Sequence, residues 1–234
     1  MSLLARMLPI VSPCLQTDPV TNEFIQQKIL TDERNMVMFG GPKTGKTSLL
    51  FQTALSFAGE ELTVMFISPQ PLAKLPLTVH GLLDPNAAIL KSVKFVYHST
   101  VKELIEYCAS VHMKQYYPDV IILDDLEHYI SQLKSEGVDH GMAKICALLI
   151  DAASFIKQHS ESGKCRMLLC LSDKYKSLPS ICKQFDFNTL YIQGADTNQF
   201  DLIYKTQDNK ELTSSYILTD TDIRLNHIVL KSIT

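Results

Sequence analysis

The run Gly40-Gly41-Pro42-Lys43-Thr44-Gly45-Lys46-Thr47 fits the pattern G-x-x-x-x-G-K-[ST] without a gap, and nothing else in the chain restricts its fold as strongly. Such a loop has to be delivered by a strand and followed by a helix. The flanks supply both: Met36-Val37-Met38-Phe39 is a short apolar entry, and Ser48-Leu49-Leu50-Phe51 is an apolar exit. The glycines let the backbone curl so that successive N–H groups face a phosphate, the helix opening near Thr47 adds its positive end, and Lys46 supplies a mobile cation. The Thr47 hydroxyl is then placed to ligate Mg²⁺. Gly40, Gly41, Pro42, Lys43, Thr44, Gly45, Lys46, Thr47 and Ser48 form the candidate nucleotide-binding set. A glycine turn that merely joins a strand to a helix is disfavoured by the apolar flanks on both sides.

A chain of 234 residues with 46% hydrophobic content can bury a sizeable core. One domain is expected over residues 35–234, preceded by an N-terminal arm over 1–34, in which Pro9, Pro13 and Pro19 interrupt any regular element and Glu23 to Leu30 is the helix-like piece. The formal charge is -3, so any contact with nucleic acid has to come from a local patch. Cys14, Cys108, Cys146, Cys165, Cys170 and Cys182 form no C-x-x-C pair and no cluster of metal-ligand spacing. Reduced thiols of a cytosolic or nuclear protein, mostly small core residues, are the expectation. No stretch reaches membrane-spanning length, and Arg6 and Pro9 break the N-terminal apolar segment, so neither a membrane span nor a signal peptide is expected.

Past the loop, strand-like and helix-like segments alternate. A helix is expected over Ser48–Phe57, ended by Gly59; a strand over Leu62–Ile67; a short helix over Pro85–Leu90; a strand over Val93–Tyr97; and a helix over Thr100–Val111 with a capping box to Glu103. Val120–Leu123, a long helix over Met142–Gln158, and Met167–Leu171 continue the series. Continuous apolar runs of strand length mark buried parallel strands, whereas Phe200–Lys205, Ser214–Leu218 and Ile228–Lys231, parted by polar turns, read as an antiparallel extension. The fold class is α/β, a P-loop NTPase core with a largely parallel sheet and an antiparallel C-terminal extension.

A buried strand ending in an acid is the usual companion of a phosphate loop, and Val120-Ile121-Ile122-Leu123 ends in Asp124-Asp125. Asp124 is the candidate for holding Mg²⁺, alone or through its water shell. Asp125 and Glu127 are read as helix-capping or solvated acids, not as the base.

Leu49-Leu50-Phe51, Ala58-Gly59-Glu60, Pro71-Leu72, Leu83-Asp84-Pro85 and Leu123-Asp124-Asp125-Leu126-Glu127 recur in this order in one family. Over about residues 35–171 the chain resembles the SWIM-domain-associated ATPases, which are similar to the RecA-type recombinase paralogues. The resemblance implies a RecA-like core and a nuclear ATPase stimulated by single-stranded DNA, using ATP and Mg²⁺. It also implies a SWIM zinc-finger partner in a Shu-type complex, contact with a RecA-type recombinase and its paralogues, and a part in homologous recombination repair of DNA damage.

The chain departs from the RecA pattern at two places. Recombinases carry a catalytic Glu just beyond the strand after the phosphate-loop helix, and Gln70 of Phe66-Ile67-Ser68-Pro69-Gln70 stands there instead. An amide can orient a water but cannot take its proton, so slow hydrolysis is expected, with Lys46 and Gln70 as the catalytic candidates. Ser172 stands where a Gln often senses the γ-phosphate, which implies weaker coupling between nucleotide and DNA. For DNA, the segment after the next core strand carries Lys174, Tyr175, Lys176 and Lys183, cations with a stacking face. The stretch Ser131 to Gly141 is less suited to a phosphate backbone and is expected to be disordered.

A nearly silent nucleotide-binding scaffold that stabilises its partner and the recombinase filament stays open beside the ATPase. A small-molecule phosphotransferase is disfavoured, because Arg6, Arg34, Arg166 and Arg224 form no Arg-rich lid.

Overall fold

Strand β1 (Met36–Gly40) is buried along its whole length inside a ten-stranded mixed sheet in the computed structural model, which describes residues 2–133, 137–174, 178–206 and 210–232. Its side chains alternate: Met36 and Met38 enter the core on one face, Val37 and Phe39 the core on the other. The phosphate loop leads into α3 (Lys46–Ala58), itself preceded by α1 (Leu3–Met7) and α2 (Pro19–Phe24). Next come β2 (Val64–Ser68), the short β3 (Thr78–Val79), α4 (Ala87–Leu90), β4 (Val93–Tyr97) and α5 (Val101–Ala109). Then follow β5 (Val120–Leu123), α6 (Leu126–Gln132), α7 (Val138–His159), β6 (Arg166–Leu171) and α8 (Leu178–Gln184). The chain closes with β7 (Asn188–Asp196), β8 (Gln199–Lys205), β9 (Lys210–Leu218) and β10 (Asp222–Ser232).

The strand order is β3-β10-β9-β8-β7-β1-β6-β5-β2-β4. From β4 to β7 every pairing is parallel, and from β7 to β10 every pairing is antiparallel. This is the α/β class expected, with α1 and α3 against one face and α5 to α8 against the other. The capping box is formed as read: the Thr100 hydroxyl accepts from the Glu103 N–H, and the Glu103 carboxylate accepts from the Thr100 N–H.

Several elements differ from the sequence reading. The segment drawn as an arm packs into the core of the domain: Leu3, Leu4, Met7 and Leu8 are buried against α3. Helix α1 starts where the Ser2 hydroxyl accepts from the Ala5 N–H and stops before Pro9, which forces Leu8 into an extended backbone. Arg6 is buried with it, its guanidinium 4.0 Å from the Phe57 ring centre and paired with Glu60. Strand β7 was not foreseen. Its apolar run is only Leu190-Tyr191-Ile192, and its buried Asn188 is held by Asp32 and Tyr204. Within Ser131–Gly141 the expected disorder is replaced by helix on both sides: α6 runs to Gln132 and α7 opens at Val138 after Gly137, while residues 134–136 lie outside the described residues.

Candidate functional site

Strands β1, β6, β5 and β2 are neighbours, so the segments leaving their carboxyl ends meet over one edge of the sheet. Between them lies a cleft of about 500 Å³, walled by Lys46 and Thr47 from the phosphate loop, Gln70 after β2, Asp124 after β5, and Cys170 and Lys174 from β6 and its exit.

The loop owes its shape to backbone conformation. Lys43 and Gly45 both have positive φ, 61° and 84°, and the alternation turns successive peptide groups to make an anion-binding concavity. A Cβ at Gly45 would stand 3.2 Å from Leu218 Cδ1 in a backbone region that other residues rarely adopt, so glycine is required there on two counts. The Lys46 ammonium donates to the carbonyls of Gly40 and Gly41, folding the side chain over the loop it comes from. The Thr44 hydroxyl donates to Gly41 O at 3.0 Å. Tyr216, fully buried on β9, donates its hydroxyl to Thr44 O at 2.6 Å. Tyr216 carried no signal in the sequence, because only the sheet order brings it under the loop.

The Thr47 hydroxyl donates to Asp124 Oδ2 at 2.7 Å, which brings the two candidate Mg²⁺ ligands together from opposite sides of the cleft. Asp124 is held further by the Asp125 N–H, which reaches Oδ1 at 2.9 Å, and Asp125 has φ 52°, a left-handed backbone for a residue with a side chain. Burial raises the Asp124 carboxyl above its ordinary value, and the hydrogen bonds from Thr47 and Asp125 oppose that rise without cancelling it. A hydroxyl and a desolvated carboxylate within hydrogen-bond distance are a hard oxygen donor set of the kind that suits Mg²⁺.

The remaining candidates are dispersed. Gln70 lines the cleft, and its backbone carbonyl accepts from the Ser68 hydroxyl at 2.8 Å. Ser48 is turned away: its buried hydroxyl accepts from the Leu77 N–H at 3.1 Å. Asp125 stands at the start of α6 and Glu127 in its first turn. Lys174 sits at the mouth of the cleft with Nζ 3.5 Å from Glu127 Oε1. Lys183 lines a different cavity, with Arg34 and Lys205. Tyr175 and Lys176 lie outside the described residues. The cysteines are free thiols, with Cys108, Cys146, Cys170 and Cys182 buried, and no helix among the described residues is long and apolar enough to cross a membrane.

Searches for similar proteins find relatives at two depths. No family model matches the chain. Mouse "ATPase SWSAP1" is 34% identical over 142 residues, covering 58% of this chain and 48% of that protein. Human "ATPase SWSAP1" is 31% identical over 139 residues, covering 58% of each. The chain thus spans about half the length of the curated relatives it matches. Among solved structures, the RadB recombinase superposes with a TM-score of 0.55 at 11% identity, over 82% of this chain and 90% of that one. A DnaB-like replicative helicase gives 0.54 at 12% identity, over 83% and 58%. The fold is that of the RecA-like P-loop ATPases, and the resemblance to SWIM-domain-associated ATPases read from the sequence is met by these relatives.

Proposed function

Taking the RecA-like fold and the likeness to the SWSAP1 ATPases as premise, we propose that this chain is a Mg²⁺-dependent ATP hydrolase of homologous recombination repair, stimulated by single-stranded DNA. The observation that carries the proposal is the approach of Thr47 to Asp124 at 2.7 Å beside Lys46, which joins phosphate loop and acidic strand end in one cleft. In this reading, ATP lies with its phosphates along the N–H groups of residues 40–47. Lys46 exchanges its loop carbonyls for phosphate oxygens. Thr47 and Asp124 hold Mg²⁺, which supplies charge neutralisation at the transferred phosphoryl group. Gln70 orients the attacking water without accepting its proton, so turnover is slow.

The remaining assignments follow what the resemblance read from the sequence implies. The chain works in the nucleus beside a SWIM zinc-finger partner, a RecA-type recombinase and its paralogues, and it meets DNA through the segment holding Lys174, Tyr175, Lys176 and Lys183. A catalytically weak scaffold is the second reading, favoured by an amide in the cleft at position 70. Steady-state ATP hydrolysis by the purified chain, with and without single-stranded DNA and beside Lys46→Ala, decides between them. Stimulation that Lys46→Ala abolishes supports the DNA-coupled ATPase. A rate equal to the Lys46→Ala blank, with ATP still bound, replaces it with the scaffold.

A further inference from the structure

The cleft holds two cationic side chains, Lys46 within the phosphate loop and Lys174 at the mouth. The arginines are engaged elsewhere: Arg6 with Glu60, Arg34 with Asp32, Arg166 with Glu33 and Arg224 with Asp222. Among the described residues that line the cleft, Lys174 is thus the lysine or arginine that lies outside the phosphate loop. The stretch that carries Lys174 already lies over the loop, because Asp173 Oδ2 is 3.9 Å from the position a Cβ on Gly41 would take.

We infer that Lys174 contacts the terminal phosphate of ATP, and that Glu127 is the site to which its ammonium returns when that phosphate is lost. The inference rests on the nucleotide-binding reading above and gives that site a means of telling ATP from ADP. Three features carry it. Lys174 Nζ stands 3.5 Å from Glu127 Oε1, which sets the ammonium beside the first turn of α6, next to the strand end that carries Asp124. The Lys174 side chain is 70% exposed and that of Glu127 24% exposed, so their ion pair is a solvated one of small net strength. A weak resting pair on a flexible four-carbon stem is readily exchanged for a phosphate, with which a lysine makes a stronger, charge-assisted contact. Ser172 offers no amide to read the γ-phosphate, whereas Lys174 follows it in the same segment and holds its N–H 3.4 Å from the Ser172 hydroxyl.

The test is calorimetric titration of ADP and of the β,γ-imido analogue of ATP, each with Mg²⁺ and without DNA. It uses the wild-type chain, Lys174→Ala, Lys174→Arg and Glu127→Gln, and Lys46→Ala as the control for loss of phosphate binding. Lys174→Ala is expected to weaken the triphosphate analogue by at least about tenfold while ADP affinity stays within about twofold. Lys174→Arg should keep most of the discrimination. Glu127→Gln removes the resting partner and should leave the analogue bound as tightly as before or more tightly. A merely structural ion pair gives the opposite pattern, with Lys174→Ala and Glu127→Gln shifting both nucleotides alike. That result, or equal analogue affinity in the wild type and Lys174→Ala, overturns the inference and leaves nucleotide binding standing. Failure of the wild-type chain to bind either nucleotide overturns both.

Discussion

Tyr216→Phe removes one oxygen, and its effect can be worked through from the geometry. The hydroxyl donates to Thr44 O at 2.6 Å, and both residues are buried. Without it the carbonyl is an unpaired acceptor out of reach of water, at a cost of about 1–3 kcal/mol. A domain of this size loses about 2–4 °C of melting temperature per kcal/mol, so a drop of roughly 2–12 °C is expected. A second effect falls on the ligand. In a trans peptide the carbonyl and the following N–H point in opposite directions, so fixing Thr44 O toward β9 turns the Gly45 N–H away from β9 and toward the phosphate side of the loop. Released from Tyr216, that peptide can rotate, and a tenfold loss of nucleotide affinity is expected. At a nucleotide concentration one hundred times the wild-type Kd, bound ligand adds about 2.7 kcal/mol of stability to the wild type and would add about 1.4 kcal/mol to the variant. Thermal denaturation with and without Mg²⁺-ADP reads both effects. A variant that melts with the wild type, or one whose ligand-induced stabilisation is undiminished, would refute the reasoning about the loop.

Gln70→Glu places a carboxylate in the cleft wall and is expected to raise the ATP hydrolysis rate by about a hundredfold, the lower end of general-base catalysis, at little cost to ATP affinity; no gain counts against Gln70 as the limiting residue. Burial alone would raise the Asp32 carboxyl, but hydrogen bonds from Arg34 and Tyr204 overcome it and bring the group below its ordinary value of 3.8. Because the folded value is the depressed one, its stabilisation is full above the unfolded value and is lost as pH falls through the folded value; acid titrations of unfolding free energy should show a steeper loss in the wild type than in Asp32→Asn below about pH 4. Removing residues 2–10 uncovers the face of α3 that Leu3, Leu4, Met7, Leu8 and Ile10 bury. At about 1.5–3 kcal/mol for each side chain, the loss is roughly as large as the whole stability of a domain. The truncated chain should therefore give no cooperative melt by circular dichroism, and a melt within a few degrees of the wild type would show the segment to be dispensable.

The inner strands of the parallel half were legible because they are short apolar runs buried on both faces, with Val120–Leu123 found at the bounds read from the sequence, whereas the half-exposed edge strand Val93–Tyr97 was legible from its β-branched and aromatic residues. The phosphate loop and its acidic companion were legible for a different reason: both are local, and each side chain sits within a few residues of the strand that delivers it. What escaped was set by distant packing. Helix α1 is short and interrupted by a proline, so its burial is visible only once α3 is beside it. Strand β7 ends in Gln193-Gly194-Ala195-Asp196, which suits the edge of a sheet, and its place between β1 and β8 comes from the register Met36 to Asn188 and Leu190 to Tyr204. Ser48 follows the loop in sequence, yet the turn of α3 aims its hydroxyl at Leu77. Tyr216 reaches the underside of the loop through the sheet order and Lys174 reaches the cleft through the β6 exit, neither of which a local pattern encodes.

The antiparallel extension supports the site mechanically. Leu218 and Ile223 stand 3.2 and 3.4 Å from where a Cβ on Gly45 would be, Tyr216 holds the Thr44 carbonyl, and β3 joins β10 by pairing Thr78 with Asp222 and Val79 with Ile223. The same segment returns to the phosphate-loop helix: the Ser48 hydroxyl accepts from the Leu77 N–H, and the Gln52 side chain accepts from Val79 N–H and donates to Leu83 O. Gln70 stands at the start of this connection, between Ser68 of β2 and the β3 edge. The phosphate loop and its helix are thus braced by the strands at the β10 side of the sheet, while Gln70, leaving β2, and Lys174, leaving β6, approach the cleft from the other side of β1. A change in the β9–β10 hairpin would disturb phosphate binding through Gly45 and Thr44 without touching Asp124, whereas a change in the β6 exit would alter the response to the terminal phosphate without loosening the loop. The two sides of the cleft are therefore separable by mutation. If Lys174 meets the terminal phosphate as inferred, variants on the first side should weaken ADP and ATP analogues alike, and variants on the second should change only the ratio between them.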